Sequence, residues 1–308
     1  MSFGQPYIMG IEGYIHDGWF VLRNYEKSLV RDYLCNLLIS PSIQQQYKRL
    51  AAGGVVQNIS SELVNSVIVS VPTKTEQKKI AEFISYIDDR IATQIKIIED
   101  LKKLKSAISN KLVARKDLLE KQITISEIGT LKNGYAFQSS TYNPAGSYKI
   151  ITIANVSGER YIDIDSCNCI MRIPEDIQTH QVLKQDDILI SLTGNVGRVS
   201  LCTDGNYLLN QRVGLLQLKQ GVNREYIYQA LSCRRFEQTM ISCGQGAAQM
   251  NIGKGDVEDY TIPYSANSLN LEVVASTLKT YDLLISVEVD KLRLFMQQKQ
   301  YLLAQMFI

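Results

Sequence analysis

With 308 residues, 45% hydrophobic content and a formal net charge of +2, the chain has enough apolar material to bury a sizeable core, which excludes a disordered tail. The near-zero charge excludes a polycation that binds nucleic acid unaided, so any DNA contact has to come from local patches or from partner proteins. A run of roughly eighteen apolar residues is missing, as is a charged N-terminus followed by an apolar stretch; this excludes a membrane span and a secretion signal and predicts a cytoplasmic protein.

Taken in chain order, RDYLCNLLIS (31–40) reads as a helix, AAGGVVQNIS (51–60) as a small-residue loop carrying Gln57 and Asn58, and the stretch up to Pro72 as a strand. Thr73 and Glu76 then stand at capping-box spacing and open a helix without Gly or Pro from Thr75 to Val113. At roughly 1.5 Å per residue this is a rod on the order of 55 Å long. Its apolar residues step by four and three through Ile80, Ile84, Ile87, Ile91, Ile98, Leu101, Ile108 and Leu112, interrupted at Gln94 and Lys105. A 3.5-residue apolar period predicts a coiled coil, and therefore a partner helix.

From ITISEIGTLKNGYAFQSSTY (123–142) through DDILISLTGNVGRVSL (186–201), short alternating strands separated by turn residues predict an α+β domain of roughly 150 residues. REYIYQALSC (224–233) is a helix, GQGAAQMNIG (244–253) a loop, and a strand ends at Pro263. A second rod starts between Ser265 and Leu271, with Asn267, Ser268 and Asn270 as candidate caps.

These later segments repeat the earlier ones 193 positions on, and the offset also lays SFGQPYI (2–8) on NVGRVSL (195–201), Gly4 on Gly197. In the rods the offset is 194: Val274, Leu278, Tyr281, Ile285, Leu292, Phe295, Leu302 and Met306 form the second stripe, interrupted at Glu288 and Lys299. The obvious partner of each rod is the other. The polar interruptions either fix the register of the seam or sit at its edge with their heads in water. The counterpart of Leu119 falls at −74, so the expected organisation is one complete unit plus the distal part of another, with about 75 residues of the first outside the chain.

VPTKTEQKKIAEFISYIDDRI (71–91) resembles the spacer of type I restriction-modification specificity subunits, in which a Pro, a Glu-Gln pair and an Ile-rich stripe ending in Asp open a long helix; here these are Pro72, Glu76, Gln77, Ile80 and Asp88. IHDGWFVL (15–22), GYAFQSS (134–140), LTGNVGRVSL (192–201) and LNQRVG (209–214) resemble the target recognition domains of that family. The second rod departs from the pattern, with Asn270 and Leu271 near the Glu-Gln positions.

The resemblance implies a fold class: α+β, repeated recognition domains of mixed β-structure separated by two long antiparallel coiled-coil spacer helices. The corresponding parts are 1–72 (distal part of a first recognition domain), 73–115 (first spacer), 116–264 (second, complete recognition domain) and 265–308 (second spacer). It further implies a non-catalytic subunit, without cofactor or metal, that reads double-stranded DNA. Such a subunit docks methyltransferase subunits, which flip and methylate adenine, and ATP-dependent restriction subunits. Truncated members of the family dimerise to rebuild two reading heads, which makes a homodimer a further expectation. The alternative is an interaction scaffold that keeps the spacers without reading DNA.

Base reading needs Arg, Lys, Asn and Gln donors on exposed loops. The candidates on turn-rich segments are Lys132, Asn133, Tyr135, Gln138, Asn195, Arg198, Gln211, Arg212, Gln249, Asn251 and Lys254, each of which also fits a solvated loop residue. Residues 122–264 carry 12 Lys and Arg against 14 Asp and Glu, which predicts weak, salt-sensitive binding by this domain alone. The lysines Lys78, Lys79, Lys102 and Lys103 on the first rod are a partner-docking face or simply solvated helix.

Other chemistry fails on its residues. AQMNIGKG (248–255) lacks the leading Gly and the closing hydroxyl of a phosphate loop, and Asn143-Pro144 is followed by Ala145 and Gly146 in place of the proline and aromatic ring of an adenine methyltransferase motif. Cys167, Cys169 and His180 have no second cysteine pair to complete a zinc site, His16 and Asp17 form no catalytic pair by adjacency, and the six cysteines (with Cys35, Cys202, Cys233 and Cys243) read as reduced thiols.

Overall fold

A computed structural model describes residues 4–16, 19–25, 27–51, 64–244 and 250–307. In chain order the elements are α1 (Arg31–Ile39), α2 (Pro41–Ala51), α3 (Lys74–Val113), β1 (Lys121–Thr124), α4 (Ile125–Ile128), β2 (Gly129–Asn133), β3 (Tyr148–Ile151), β4 (Asn168–Ile170), β5 (Ile188–Ser191), β6 (Val199–Leu201), β7 (Tyr207–Leu209) and β8 (Val213–Leu218). They continue with α5 (Arg224–Leu231), α6 (Arg234–Cys243), α7 (Lys254–Glu258), β9 (Thr261–Tyr264) and α8 (Ser268–Met306). The class is α+β, and the chain divides into two units, Met1–Asp100 with Ile285–Ile308, and Leu101–Leu284. Among the described residues no helix is long and apolar enough to cross a membrane.

In the first unit α3 is opened by Thr73 and Glu76. The Thr73 amide donates to Glu76 Oε2 (3.0 Å) and the Glu76 amide to Thr73 Oγ1 (3.4 Å), which satisfies two amides that the helix cannot. The neighbouring Gln77 is wholly buried and makes three bonds: Nε2 donates to Ser28 O and Pro72 O (both 2.9 Å), and Oε1 accepts from the Val30 amide (2.8 Å). The Glu-Gln pair is thus a cap followed by a tie to the segment before α1. At its start α8 relies instead on Asn267, whose Oδ1 accepts from the Leu269 amide (3.0 Å), while Leu271 is simply buried.

Tyr33 and Leu37 of α1 and Ile43 and Tyr47 of α2 pack on Ala81 and Ile84 of α3, on Leu303 of α8 and on Phe307 just beyond it. The buried positions here are therefore one beyond the expected Leu302 and Met306, which are half-buried. Further along, Gln94 Nε2 donates to Glu288 O (2.9 Å) and Glu288 Oε2 (2.6 Å), and Lys299 Nζ donates to Asp88 Oδ1 (2.5 Å). These pairings run the two helices antiparallel. Of the stripe residues, Ile84, Ile87, Ile98, Leu278 and Ile285 are buried, whereas Ile80, Ile91, Leu101, Tyr281, Leu292 and Phe295 are half-buried. The Phe295 ring also lies beneath the Arg90 guanidinium (5.6 Å).

In the second unit β2, β8, β5 and β6 form an antiparallel sheet in that order, β4, β3 and β7 a mixed one with β3 and β7 parallel, and β1 pairs with β9. The central strand β5 is buried on both faces. Ile188 and Ile190 join Leu131, Leu216, Phe236 and Leu278 in one cluster; Leu189, between them, joins Ile151, Leu209 and Leu215 in another. Within the DDILIS run Ile188, Leu189 and Ile190 are consecutively apolar for that reason.

One carboxylate ties this unit together. Asp282 on α8 accepts from Lys105 Nζ on α3 (2.5 Å), Gln229 Nε2 on α5 (2.6 Å) and Arg160 Nη1 (3.2 Å). Arg160 also makes a two-pronged pair with Glu225 (2.8 and 2.6 Å) and lies over the Tyr228 ring (5.2 Å). Burial opposes charge on Glu225, but the bonds from Arg160 and Gln229 outweigh it and hold its carboxyl below the usual range.

The repeat is visible in these contacts. Lys299–Asp88 and Lys105–Asp282 are the same pair made twice at the 194-residue offset, and Gln94 and Glu288 are counterparts of each other. The polar interruptions are therefore engaged at the seam and do not merely reach into solvent. Gly4 (φ +70°) and Gly197 (φ +77°) are counterparts too. A Cβ on Gly4 would meet Tyr47 (2.9 Å) and Gln44 (3.3 Å), and one on Gly197 would meet Met240 (2.6 Å) and Glu237 (3.2 Å), residues that stand 193 positions apart.

Asp282 and Arg160 side chains are each 9% exposed, so Asp282→Ala strands buried cations and is expected to lower the unfolding free energy by about 3 kcal/mol. Asp88, 47% exposed, is expected to cost less than about 1 kcal/mol on the same change. Urea unfolding of the two variants followed by circular dichroism measures the contrast.

Candidate nucleic-acid interface

The second unit gathers turns whose backbone is closely specified. β2 ends at Gly134, where an added Cβ would lie 2.2 Å from Asn210 O, so only glycine lets the strand pass the following turn. The Tyr135 amide donates to Leu209 O (2.8 Å), and the Gln211 amide donates back to Tyr135 O (2.9 Å). Asn210 is buried, and its Oδ1 accepts from the Arg212 amide (3.1 Å), which closes a tight turn and leaves the Gln211 and Arg212 side chains exposed.

The same turn is tied to the β5–β6 hairpin. The Leu192 amide donates to Arg212 O (3.0 Å), the Gly194 amide to Met250 O (3.0 Å) and the Ile252 amide to Leu192 O (2.9 Å). Inside the hairpin Ser191 Oγ donates to Asn195 O and accepts from the Arg198 amide (3.1 Å), while Gly194 (φ +70°) and Gly197 supply the left-handed turns. Asn195 is exposed, and Asn251, bridged to Thr193, is exposed beside it. The backbone bonds thus bring Asn133, Tyr135, Asn195, Gln211, Arg212 and Asn251 onto one connected set of loops.

The remaining candidates stand apart from that set. Lys132 is half-buried within β2, opposite Leu215. Gln138 is exposed, and its carbonyl receives the Thr141 amide (3.0 Å). Arg198 turns toward Glu237 on α6 (3.5 Å), and Lys254, in the first turn of α7, lies 3.6 Å from Glu258. Gln249 lies outside the described residues, as do Gln57, Asn58 and Asp17.

Residue types alone did not single out what steadies the loops. Tyr135 donates its hydroxyl to Asp176 Oδ1 (2.8 Å), which raises the phenol's pKa and keeps it protonated, and its ring packs on Phe137 at 4.9 Å. Asn133 O receives Gln181 Nε2 (3.3 Å) and lies 3.1 Å from His180 Nε2. His180 therefore steadies the end of β2, while Cys167 Sγ accepts from Asn155 Nδ2 (3.3 Å). Glu258 receives the Leu131 amide and the Thr130 hydroxyl (both 2.8 Å) at the other side of β2. The only sequence signal for these positioning residues is the glycine of the GYAF run.

Gly134→Ala drives a methyl into the Asn210 carbonyl and is expected to destabilise the second unit by about 2 kcal/mol. Hydrogen exchange at the Tyr135 and Gln211 amides, faster in the variant than elsewhere in the sheet, locates the damage.

The family model for the type I restriction modification DNA specificity domain matches residues 2–103 and 120–292 of the chain. A putative type I restriction enzyme MjaX specificity subunit of Methanocaldococcus jannaschii is 25% identical over 286 residues, 87% of this chain and 65% of that protein. The type I restriction enzyme MjaVIII specificity subunit of the same organism is 25% identical over 289 residues, 85% of this chain. The chain spans 65% and 66% of the length of these two relatives. Among solved structures, the S subunit of a type I restriction-modification system from M. genitalium superposes with a TM-score of 0.58 at 18% identity, over 91% of this chain and 73% of that one. A chain from a structural study of complex assembly and conformational transition in the type I R-M system gives 0.56 at 15% identity, over 90% and 70%. At these identities the structural likeness is one of fold.

Proposed function

Because this chain belongs to the type I restriction modification DNA specificity family, we propose that it is the non-catalytic specificity subunit of such a system, reading double-stranded DNA through the loops of its second unit. The observation that carries the reading is the turn at Asn210, which fixes the backbone and leaves an amide and a guanidinium, Gln211 and Arg212, pointing into solvent side by side in sequence. Those are the side chains whose paired donors and acceptors match adenine and guanine edges in the major groove.

In this reading Asn133, Tyr135, Gln138, Asn195 and Asn251 complete the base-facing set. Lys132, Arg198 and Lys254 go to phosphates, the last two by exchanging a carboxylate partner for the DNA backbone. The acidic balance of residues 122–264 leaves most phosphate neutralisation to the assembled complex.

Spacers over 73–115 and 265–308 then dock methyltransferase subunits and, for cleavage, ATP-dependent restriction subunits. Support comes from the outer face of α8, where Val287, Leu294 and Tyr301 recur every seven residues and are 52%, 62% and 62% exposed, a stripe fit to receive another helix. The near-neutral recognition unit favours a second reading, a scaffold that docks partners without reading DNA; one experiment separates the two.

A gel shift of the chain with its cognate methyltransferase subunit on a library of duplexes is expected to enrich one sequence, and a flat library sinks the reader in favour of the scaffold. Arg212→Ala should weaken the enriched duplex about tenfold and relax the preference at one base pair. Leu294→Glu is expected to abolish co-purification of the methyltransferase subunit while leaving the melting temperature of the chain unchanged.

A further inference from the structure

Two of the exposed loop segments of the second unit meet at one side chain, Glu258. β2 is the edge strand of its sheet, and the Leu131 amide points away from its neighbour β8. That amide donates to Glu258 Oε1 (2.8 Å), and the adjoining Thr130 hydroxyl donates to the same oxygen (2.8 Å). Two residues further on, β2 ends at Asn133 and the chain turns through Gly134 to Tyr135.

Glu258 itself closes α7, whose first residue, Lys254, follows Asn251 by three positions. This segment is firmly seated. Asn251 is bridged to Thr193, the Ile252 amide donates to Leu192 O (2.9 Å), and the Gly253 amide donates to Asp256 Oδ2 (2.7 Å). Val257 is wholly buried in the cluster that also takes Leu131. Glu258 thus ties the segment carrying Asn133 and Tyr135 to the one carrying Asn251 and Lys254, across 127 positions of chain.

The same oxygen lies 3.6 Å from Lys254 Nζ, one helical turn away. The partners of this pair are unequally held: the Glu258 side chain is 16% exposed and the Lys254 side chain 54%. The lysine is free to swing out, whereas two donors fix the carboxylate. Burial opposes charge on Glu258, but the bonds from the Leu131 amide and Thr130 hydroxyl, with Lys254 nearby, outweigh it and hold its carboxyl below the usual range.

We propose that Glu258 is a positioning residue with two separable roles in DNA reading. Its oxygen keeps the Asn133 and Asn251 segments in fixed relation, and its charge holds Lys254 off phosphate until a duplex is seated. The inference rests on the second unit being a DNA reader. Two substitutions separate the roles, since Glu258→Gln keeps an oxygen for both donors and removes only the charge, while Glu258→Ala removes both.

The test is selection from a duplex library, followed by titration, with the full chain assembled with its cognate methyltransferase subunit. Glu258→Gln is expected to tighten enriched and unrelated duplexes alike by about threefold, with preferences unchanged, because an exposed ion pair no longer has to break. Adding Lys254→Ala is expected to abolish that gain. Glu258→Ala is expected to relax the preference about tenfold at one or two base pairs, distinct from the one that Arg212→Ala relaxes. Thr130→Val, which removes one bond and leaves the charge, should relax the same base pairs by about threefold, and it decides the matter if Glu258→Ala does not fold. Affinity unchanged in Glu258→Gln, or a gain that survives Lys254→Ala, overturns the proposal. So do preferences that stay intact in Glu258→Ala or Thr130→Val, including a uniform loss on every duplex, the mark of a residue that only stabilises the fold. A wild-type complex that enriches no sequence sinks the DNA reading itself and this role with it; enrichment by the wild type combined with any of the contrary results sinks this role alone.

Discussion

A helix of 40 residues with an apolar stripe down one side cannot stay folded in water as a single rod. Everything else in this molecule follows from how α3 and α8 solve that problem in each other's company. Their stripes bury Ile84, Ile87, Ile98, Leu278 and Ile285, and burial alone would let one rod slide along the other in steps of a turn. The polar residues remove that freedom. Gln94 with Glu288, Lys105 with Asp282 and Lys299 with Asp88 are each satisfied in one register, and a shift would leave them facing aliphatic side chains.

The same interaction reaches the exposed loops of the second unit. Asp282 is at once a register residue of the rods and the anchor for Arg160, Glu225 and Gln229, so the helix seam and the β-domain of the second unit share one buried carboxylate. On that base the sheet carries β2, β5 and β8, whose ends adjoin the Gly134 passage, the 192–198 hairpin and the Asn210 turn. Loops that hold base-reading groups need a rigid support, since a misplacement of an ångström breaks a paired hydrogen bond. Backbone hydrogen bonds supply much of that support here, and the Asn195, Gln211, Arg212 and Asn251 side chains stand exposed.

Much of the rod architecture was legible in the residues because it depends on local period. The four-three spacing from Ile80 onward and the capping box at Thr73 and Glu76 are local patterns of a few residues, and the in-register interruptions follow from one constant offset. The partners of those interruptions were not legible. Asp88 closes the spacer motif and Asp282 flanks the second stripe, but nothing in sequence points either to a lysine on the other rod, and Arg160 meets Asp282 across 122 positions of chain with no spacing to announce it. In the β-domain the run at DDILIS marked a strand but not its burial on two faces, since that depends on which clusters pack above and below. For the loops, residue type picked out Gln211 and Arg212 as candidates, and both stand exposed. It gave no hint that Arg198 faces Glu237, because α6 lies some forty residues further along the chain.

The pair made by Gln94 and Glu288 carries a consequence for symmetry. These two residues are each other's counterpart in the repeat, so in an association of two identical single-rod chains this position would confront itself, amide with amide or carboxylate with carboxylate. An amide–carboxylate pair needs two different residues at this position, which identical rods do not offer. Two copies of α8 laid together in this register would set Glu288 against Glu288, a like-charge contact at the seam that costs stability. The duplicated rods thus discriminate their proper mate from themselves, a handed recognition inside one polypeptide that an exact duplicate could not possess.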